Sequence, residues 1–255
     1  GRQAVALEIM SKNQTTDTNP NRAAPLMDTE AQAGDASGMR ILVTGANAGI
    51  GFWSSLQLAQ RGAEVIMACR NTGKAEIAAK AIRARVPEAN LRTVELDVSS
   101  LDSVANTAKM LNGLSHLDVL IANAGMVHTP RTRRSSVDGL ELVAATNYFG
   151  HFALVAGLLP ALERAGAARV VTLGSLSTRL VRPHLDDPQL LENYSPWRAY
   201  AQSKIMVQSF AFELDRRLQL ASSSIRALCA HPGYSISGRT PAVAGINEPG
   251  ILKRT

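Results

Sequence analysis

Residues 40 to 51 read "RILVTGANAGIG". An apolar run of strand type ends in a break of small residues, with glycines at 45, 49 and 51, and gives way to the helical pattern "GFWSSLQLAQRG". A strand that passes through a glycine-rich turn into a helix is the opening unit of a sheet connected by helices. Glycine permits unusual dihedrals and a close approach of backbone, and the helix N-terminus that follows attracts negative charge. The turn is therefore read as a pyrophosphate cradle, with Gly45, Asn47, Gly49, Ile50 and Gly51 as its cofactor-binding residues. Its spacing is Gly-x-x-x-Gly-x-Gly, not the commoner Gly-x-Gly-x-x-Gly.

Working outward, the same alternation repeats to about residue 230. The strand-like runs are "EVIMAC", "LRTVELDV", "LDVLIANAG", "ARVVTLGS" and "SIRALCAHPG". Between them lie the helical patterns "KAEIAAKAIRARV", "LDSVANTAKMLNGL", "LELVAATNYFGHFALVAGLLPALERA" and "AYAQSKIMVQSFAFELDRRLQLA". The strands are nearly all apolar rather than alternating, which a sheet covered by helices on both faces demands. The expected fold is α/β: a doubly wound, Rossmann-like parallel sheet in a single domain over residues 39–255. Residues 1–38 show little periodicity and read as a flexible extension without a secretory signal. The last stretch is rich in Gly and Pro and reads as short or incomplete.

Composition narrows the classes. The chain has 255 residues, enough for one substantial core, with 45% hydrophobic and 19% charged residues. The sequence shows no apolar run of about 20 residues, so no membrane span is expected. The 27 Lys and Arg against 21 Asp and Glu give a net charge of +6. No aromatic platform accompanies that charge, so a solvated basic surface is the expectation and nucleic acid is not an expected partner. Cys69 and Cys229 each end an apolar run, which speaks against a disulfide framework and for a reducing, cytoplasmic setting. No metal-ligand pattern is read.

In such a fold ligands sit at the carboxyl ends of the strands. The second strand ends "MACRN", where a dinucleotide site often carries an acid for the ribose hydroxyls; here Arg70 stands in that region, with Lys74 nearby. An arginine can pair with a ribose 2′-phosphate through its planar fork, which favours NADP (NADPH) over NAD. The alternative is an arginine that closes a strand in solvent. Asp97, beside Val98 at the end of the third strand, could accept from an adenine amine or could simply form a turn. Asn123, Ala124 and Gly125 end the fourth, where a tight turn could shelter the adenosine ribose.

Six ordered motifs, "TGANAGIG", "NAG" at 123, "ATNYFGH" around Asn147, "TLGS" ending in Ser175, "YAQSK" at 200 and "HPG" at 231, together resemble the short-chain dehydrogenase/reductase family. "MACRN", "SSVDGLELVAATNYFGHFAL" and "HPGYS" look like its retinol dehydrogenase-like branch. The resemblance implies an NADP(H)-dependent oxidoreductase interconverting an alcohol and an aldehyde or ketone. It implies Asn147, Ser175, Tyr200 and Lys204 as catalytic residues, and Pro232, Gly233 and Ser235 beside the nicotinamide, with Tyr200 and Lys204 also touching cofactor. Physical sense agrees. A free tyrosine has a pKa of about 10, and lowering it by about 3 units needs about 4 kcal/mol in favour of the anion, which a lysine four residues on helps supply. Ser175 would hydrogen-bond the substrate oxygen, and Asn147 would hold a water linking Lys204 to solvent. Asn147 could instead make only a structural bond to backbone. His231 is read as structural.

The gap from Ser175 to Tyr200 is long and contains "RPHLDDPQLLENYSPW", an insertion that can wall the substrate. Tyr194 within it has arginine, not lysine, at the i+4 position. Met126, Val127, Leu190 and Trp197 suggest an apolar substrate. The helix after Tyr200 could also pack across a homo-oligomer. A non-catalytic dinucleotide-binding redox sensor or structural protein is the alternative class.

Overall fold

The structure, a computed structural model, describes residues 34–127 and 129–233. Its first strand, β1 (Arg40–Thr44), is buried at every position after Arg40. Side chains alternate across a strand, and β1 shows what this builds. Ile41 and Val43 point to one face and join Val65, Met67, Phe52, Leu56 and Ile82. Leu42 points to the other and joins Ile66, Leu120, Leu154, Leu158 and Val170. Two apolar cores on opposite faces of one sheet are the expected doubly wound arrangement.

Among the described residues six strands form one sheet, all parallel, in the order β3-β2-β1-β4-β5-β6. They are β1, β2 (Glu64–Cys69), β3 (Leu91–Glu95), β4 (Val119–Ala122), β5 (Arg169–Leu173) and β6 (Arg226–Ala230). The order reverses between β1 and β4, so the chain leaves these neighbours in opposite directions and opens a crevice at their carboxyl ends. The near-continuous apolar pattern holds for β1 and β2 but not at the margins. "LRTVE" of β3 and "RALCA" of β6 have mixed burial, because these strands end the described sheet and are covered less completely.

Helices α1 (Gly49–Gln60), α2 (Thr72–Arg83) and α3 (Leu101–Leu111) follow β1 to β3. Asn71 and Ser100 cap α2 and α3, each accepting a backbone N–H three residues on. The fourth, α4, runs from Leu142 to Glu163, and the buried Glu141 starts it: its carboxylate accepts the N–H groups of Val143 at 2.9 Å and Ala144 at 2.7 Å. Among the described residues α4 is long and apolar enough, by length and composition, to cross a membrane, in contrast to the expectation of no such run. It instead behaves as a core helix, burying Leu154, Leu158 and Leu162 in the cluster that also holds Val104 and Leu111 of α3. The fifth, α5 (Pro196–Leu220), starts on a Ser195 cap with proline at its first position. Near its end, Asp215 accepts from Arg226 Nε at 2.8 Å and from the Ala227 N–H at 3.0 Å, fastening α5 to β6.

Candidate active site

The crevice between β1 and β4 widens into a cleft of about 880 Å³. On one side the glycine turn forms its floor. Gly45 has φ +66°, a backbone state side chains resist, and a Cβ on it would lie 2.9 Å from the Ala124 Cα. Gly51 stands behind the cleft wall: a Cβ there would lie 2.4 Å from the Gly45 carbonyl oxygen and 2.5 Å from Asn123 Nδ2. Helix α1 thus enters as close to the turn as backbone can. Its cap residue, Ala48, offers no side-chain acceptor, and its first turn has no acid. The amides at this helix N-terminus therefore face the cleft without an anionic side chain of their own, which suits a phosphate group.

The "NAG" turn closes over this floor through Thr44. Its Oγ1 accepts from the N–H groups of Asn123 at 2.9 Å and Ala124 at 2.8 Å, while Asn123 Nδ2 donates to the Thr44 carbonyl at 2.7 Å. With both lone pairs of Oγ1 taken, its proton goes to His151 Nε2, 2.9 Å away. Nδ1 of His151 then carries the ring hydrogen and donates it to the Asn147 carbonyl at 3.2 Å. Burial holds the imidazole pKa down to about 4, so the ring is neutral.

Asn47, Gly49, Ile50, Ala124 and Gly125 line the cleft, and Arg70 lies exposed at its lip. Asp97 and Val98 also line it. One carboxylate oxygen of Asp97 accepts from the Ser99 N–H at 2.9 Å and hydroxyl at 2.6 Å, so the turn-forming role is real, and the residue still borders the cleft.

Opposite the glycine turn, α5 presents Tyr200 and Lys204 to the same cleft. Lys204 is 9% exposed. Its Nζ donates to the Leu173 carbonyl at 2.9 Å and sits 5.9 Å from the centre of the Tyr200 ring. Burial lowers the ammonium pKa to about 8, with a small opposing effect from Cys229. Trp197, half exposed, leans over Tyr200 with ring centres 6.4 Å apart.

Ser175 follows Leu173 and Gly174, which line the cleft, and opens a 3-10 turn, Leu176–Arg179. Its Oγ accepts from the Ser177 N–H at 3.2 Å and hydroxyl at 2.9 Å, leaving its own proton to be given outward. His231 lies between the serine turn and the Pro-Gly turn, its Nε2 3.0 Å from the Leu176 nitrogen and its Nδ1 3.0 Å from the Gly233 nitrogen. A neutral imidazole accepts at only one of these, so the ring is hydrogen-bonded to one turn and packed beside the other, a structural placement. Pro232 reaches the cleft. Ser235 lies outside the described residues.

Asn147 sits in a π turn, Ala145–Phe149, inside α4. Such turns widen a helix locally and recur at functional sites. Here the turn sends the Asn147 side chain into the protein. Its Oδ1 accepts the Met126 N–H at 2.7 Å, and its Nδ2 donates to Ser203 Oγ at 2.9 Å and to the Met126 carbonyl at 3.3 Å. Ser203, fully buried, donates onward to the Tyr200 carbonyl at 2.7 Å. The amide thus braces the loop after β4 against the helix that carries Tyr200.

Sequence reasoning singled out neither Thr44, His151 nor Ser203 as individual residues, although all three lie inside the quoted motifs. A histidine four residues after a helical asparagine, in an otherwise apolar helix, is the signal that could have found His151.

A sequence model of the short chain dehydrogenase family matches residues 39–247. Retinol dehydrogenase 13 of Mus musculus is 38% identical over 202 residues, which are 78% of this chain and 59% of the relative. A "Probable oxidoreductase" of Streptomyces antibioticus is 37% identical over 210 residues, 80% of this chain and 66% of the relative. The chain thus spans about 59% of the length of the first of these relatives. Among solved structures, a protein from Mycobacterium Paratuberculosis superposes with a TM-score of 0.72 at 42% identity, covering 80% of this chain and 71% of that one. The RhlG/NADP active-site complex of Pseudomonas aeruginosa superposes with a TM-score of 0.63 at 25% identity, covering 79% and 74%. With its parallel sheet, glycine turn and Tyr-x-x-x-Lys helix around one cleft, the chain belongs to the short-chain dehydrogenase family, on its retinol dehydrogenase-like branch.

Proposed function

We propose that the cleft is the active site of an NADP(H)-dependent oxidoreductase that interconverts an alcohol and an aldehyde or ketone. The observation that carries the reading is convergence. An uncapped helix N-terminus behind glycines that admit no side chain, an arginine at the lip, and the Tyr200 and Lys204 pair all border one cavity.

The residues present fit a dinucleotide. The α1 amides and the backbone of Gly45 to Gly51 would hold the pyrophosphate, Asn123 to Gly125 and Asp97 the adenosine, and Arg70 a 2′-phosphate. The cofactor, when bound, supplies a hydride donor or acceptor. Tyr200 gives its hydroxyl proton to the carbonyl oxygen in reduction and takes it back in oxidation. Lys204 keeps its ammonium fixed through the Leu173 carbonyl, close to the Tyr200 ring. Ser175 donates its free proton to the substrate oxygen as charge gathers there.

The NADP-bound relative in Pseudomonas aeruginosa and the retinol dehydrogenase names support the cofactor and an apolar alcohol or aldehyde as substrate. Both cysteines are free thiols, in keeping with a reducing, cytoplasmic setting. Incubation with NADPH and a panel of aldehydes and ketones, followed by loss of cofactor absorbance, tests the proposal. Turnover is expected with at least one apolar aldehyde. Tight NADPH binding without turnover of any member would contradict it and favour a dinucleotide-binding sensor or structural protein.

A further inference from the structure

We infer that Gln202, the middle residue of "YAQSK", is a positioning residue that pegs the 183–194 insertion to the catalytic helix and so, through Leu190, sets Met126 and Tyr200 at the substrate wall of the cleft. This rests on the oxidoreductase reading of the cleft.

Gln202 is 3% exposed and points to a different part of the protein from Tyr200, two residues earlier on α5. Its side chain makes no contact with the dinucleotide cleft. Instead Oε1 accepts the His184 N–H at 2.9 Å, and Nε2 is shared among the carbonyls of Pro188 at 3.2 Å, Asp187 at 3.3 Å and His184 at 3.5 Å. One buried amide thus substitutes for the secondary structure that the insertion lacks, satisfying backbone groups that a strand or helix would otherwise pair.

The insertion has a second anchorage on the opposite side. Arg133 Nε donates to the Gln189 carbonyl at 2.9 Å, Gln189 Oε1 accepts the Glu141 N–H at 2.7 Å, and Tyr194 donates to the Pro130 carbonyl at 2.9 Å. Between the anchorages Leu190, 2% exposed, packs with Val143 and Ala199, and Met126 and Tyr194 lie against that cluster. Met126 borders the dinucleotide cleft, and Ala199 adjoins Tyr200. A shift of the insertion is therefore passed to both sides of the substrate mouth.

Backbone strain points the same way. Leu190 and Asn193 hold φ of +47° and +52°. A bulky leucine in the left-handed region persists only where its surroundings fix it. Asp187 fixes it directly, its carbonyl accepting the Leu190 N–H at 3.1 Å and its carboxylate the Leu191 and Glu192 N–H groups at 2.8 and 2.9 Å, and Gln202 in turn holds the Asp187 carbonyl.

The test compares the wild-type protein with Gln202→Leu, which keeps the bulk and removes the amide, and with Gln189→Leu, which loosens the other anchorage. Amide hydrogen exchange, NADPH affinity and steady-state kinetics with NADPH and straight-chain or bulky branched aldehydes are measured on each. In Gln202→Leu the amides of residues 184–192 exchange at least about tenfold faster while those of β1 and β4 do not change, and NADPH affinity stays within about twofold. The KM for aldehydes rises at least about fivefold with kcat little changed, and the preference between straight and branched aldehydes narrows. Gln189→Leu moves the same quantities in the same direction. Unchanged exchange at 184–192 overturns the peg, and that arm needs no turnover. Faster exchange with unchanged KM and size preference overturns the link to the substrate wall. A parallel loss of NADPH affinity and kcat overturns the positioning role in favour of general support for α5. Failure of the oxidoreductase reading itself would show separately, as absence of turnover by the wild-type protein.

Discussion

The two sides of the cleft are built differently. On the dinucleotide side, function rests on backbone: glycines that let Gly45, Gly51 and Asn123 crowd together, and a helix start with no side-chain cap. On the chemistry side it rests on side chains held by partners far away in sequence. Asn147 reaches Ser203 across 56 residues, Lys204 reaches Leu173 across 31, and His151 reaches Thr44 across 107. The first kind of site is intolerant of added atoms. The second is intolerant of lost functional groups. The two sides meet at Thr44, whose hydroxyl serves the "NAG" turn and His151 together.

That contrast can be broken by substitution. The largest effect is expected on the chemistry side. Tyr200→Phe removes the proposed proton donor and leaves the ring, so turnover is expected to fall by about 1000-fold or more while NADPH affinity, followed by fluorescence, changes little. A large loss of NADPH affinity would merge the two sides. On the dinucleotide side, Gly51→Ala places a methyl group within contact-forbidden range of Gly45 and Asn123. Chemical denaturation should show a loss of about 2–3 kcal/mol, with dinucleotide binding lost in parallel.

Lys204 sharpens the comparison because its activity and stability effects oppose. Its folded-state pKa is lowered to about 8 from 10.5. Between those values the unfolded chain holds a proton that the folded chain does not, so stability rises with pH across that window. Below pH 8 the full cost of a buried ammonium is present. Lys204→Met removes the cost and also the bond to Leu173, for a net gain of roughly 1–2 kcal/mol at pH 7 that shrinks as pH rises through about 10. Activity is lost in the same variant. Equal stability of the two proteins at pH 7 would contradict the assigned burial cost. The smallest effect belongs to Arg70→Ala, which should weaken NADPH by about tenfold more than NADH in paired titrations. Equal losses would mean that Arg70 does not meet the 2′-phosphate.

The same contrast explains what could be read before the fold was in view. The glycine turn and the runs of β1 and β2 are local, and their spacing carries their meaning. The Tyr and Lys pair is also local, one helical turn apart. The π turn at Asn147 leaves no mark on hydrophobic periodicity, because one widened turn shifts the pattern by less than a residue. Asn147 is read from sequence as holding a water or as making a structural bond to backbone; its side-chain partners, Met126 and Ser203, come from other segments that only the fold assembles. Gln202 carries no mark of its role in the sequence, since nothing in its neighbourhood announces that an insertion lies over it. Edge strands β3 and β6 departed from the all-apolar expectation for a similar reason: cover is a property of the sheet, not of the strand.

In the proposed reaction Tyr200 transfers a proton while a hydride passes between cofactor and substrate carbon in this cleft. NADPH deuterated at the transferred position and an apolar aldehyde test this step, the alcohol product being analysed by mass spectrometry. One deuterium is expected on the carbinol carbon with the wild-type protein, and no product above background with Tyr200→Phe under matched NADPH saturation. Alcohol lacking the deuterium, or equal labelled product from Tyr200→Phe, would contradict it.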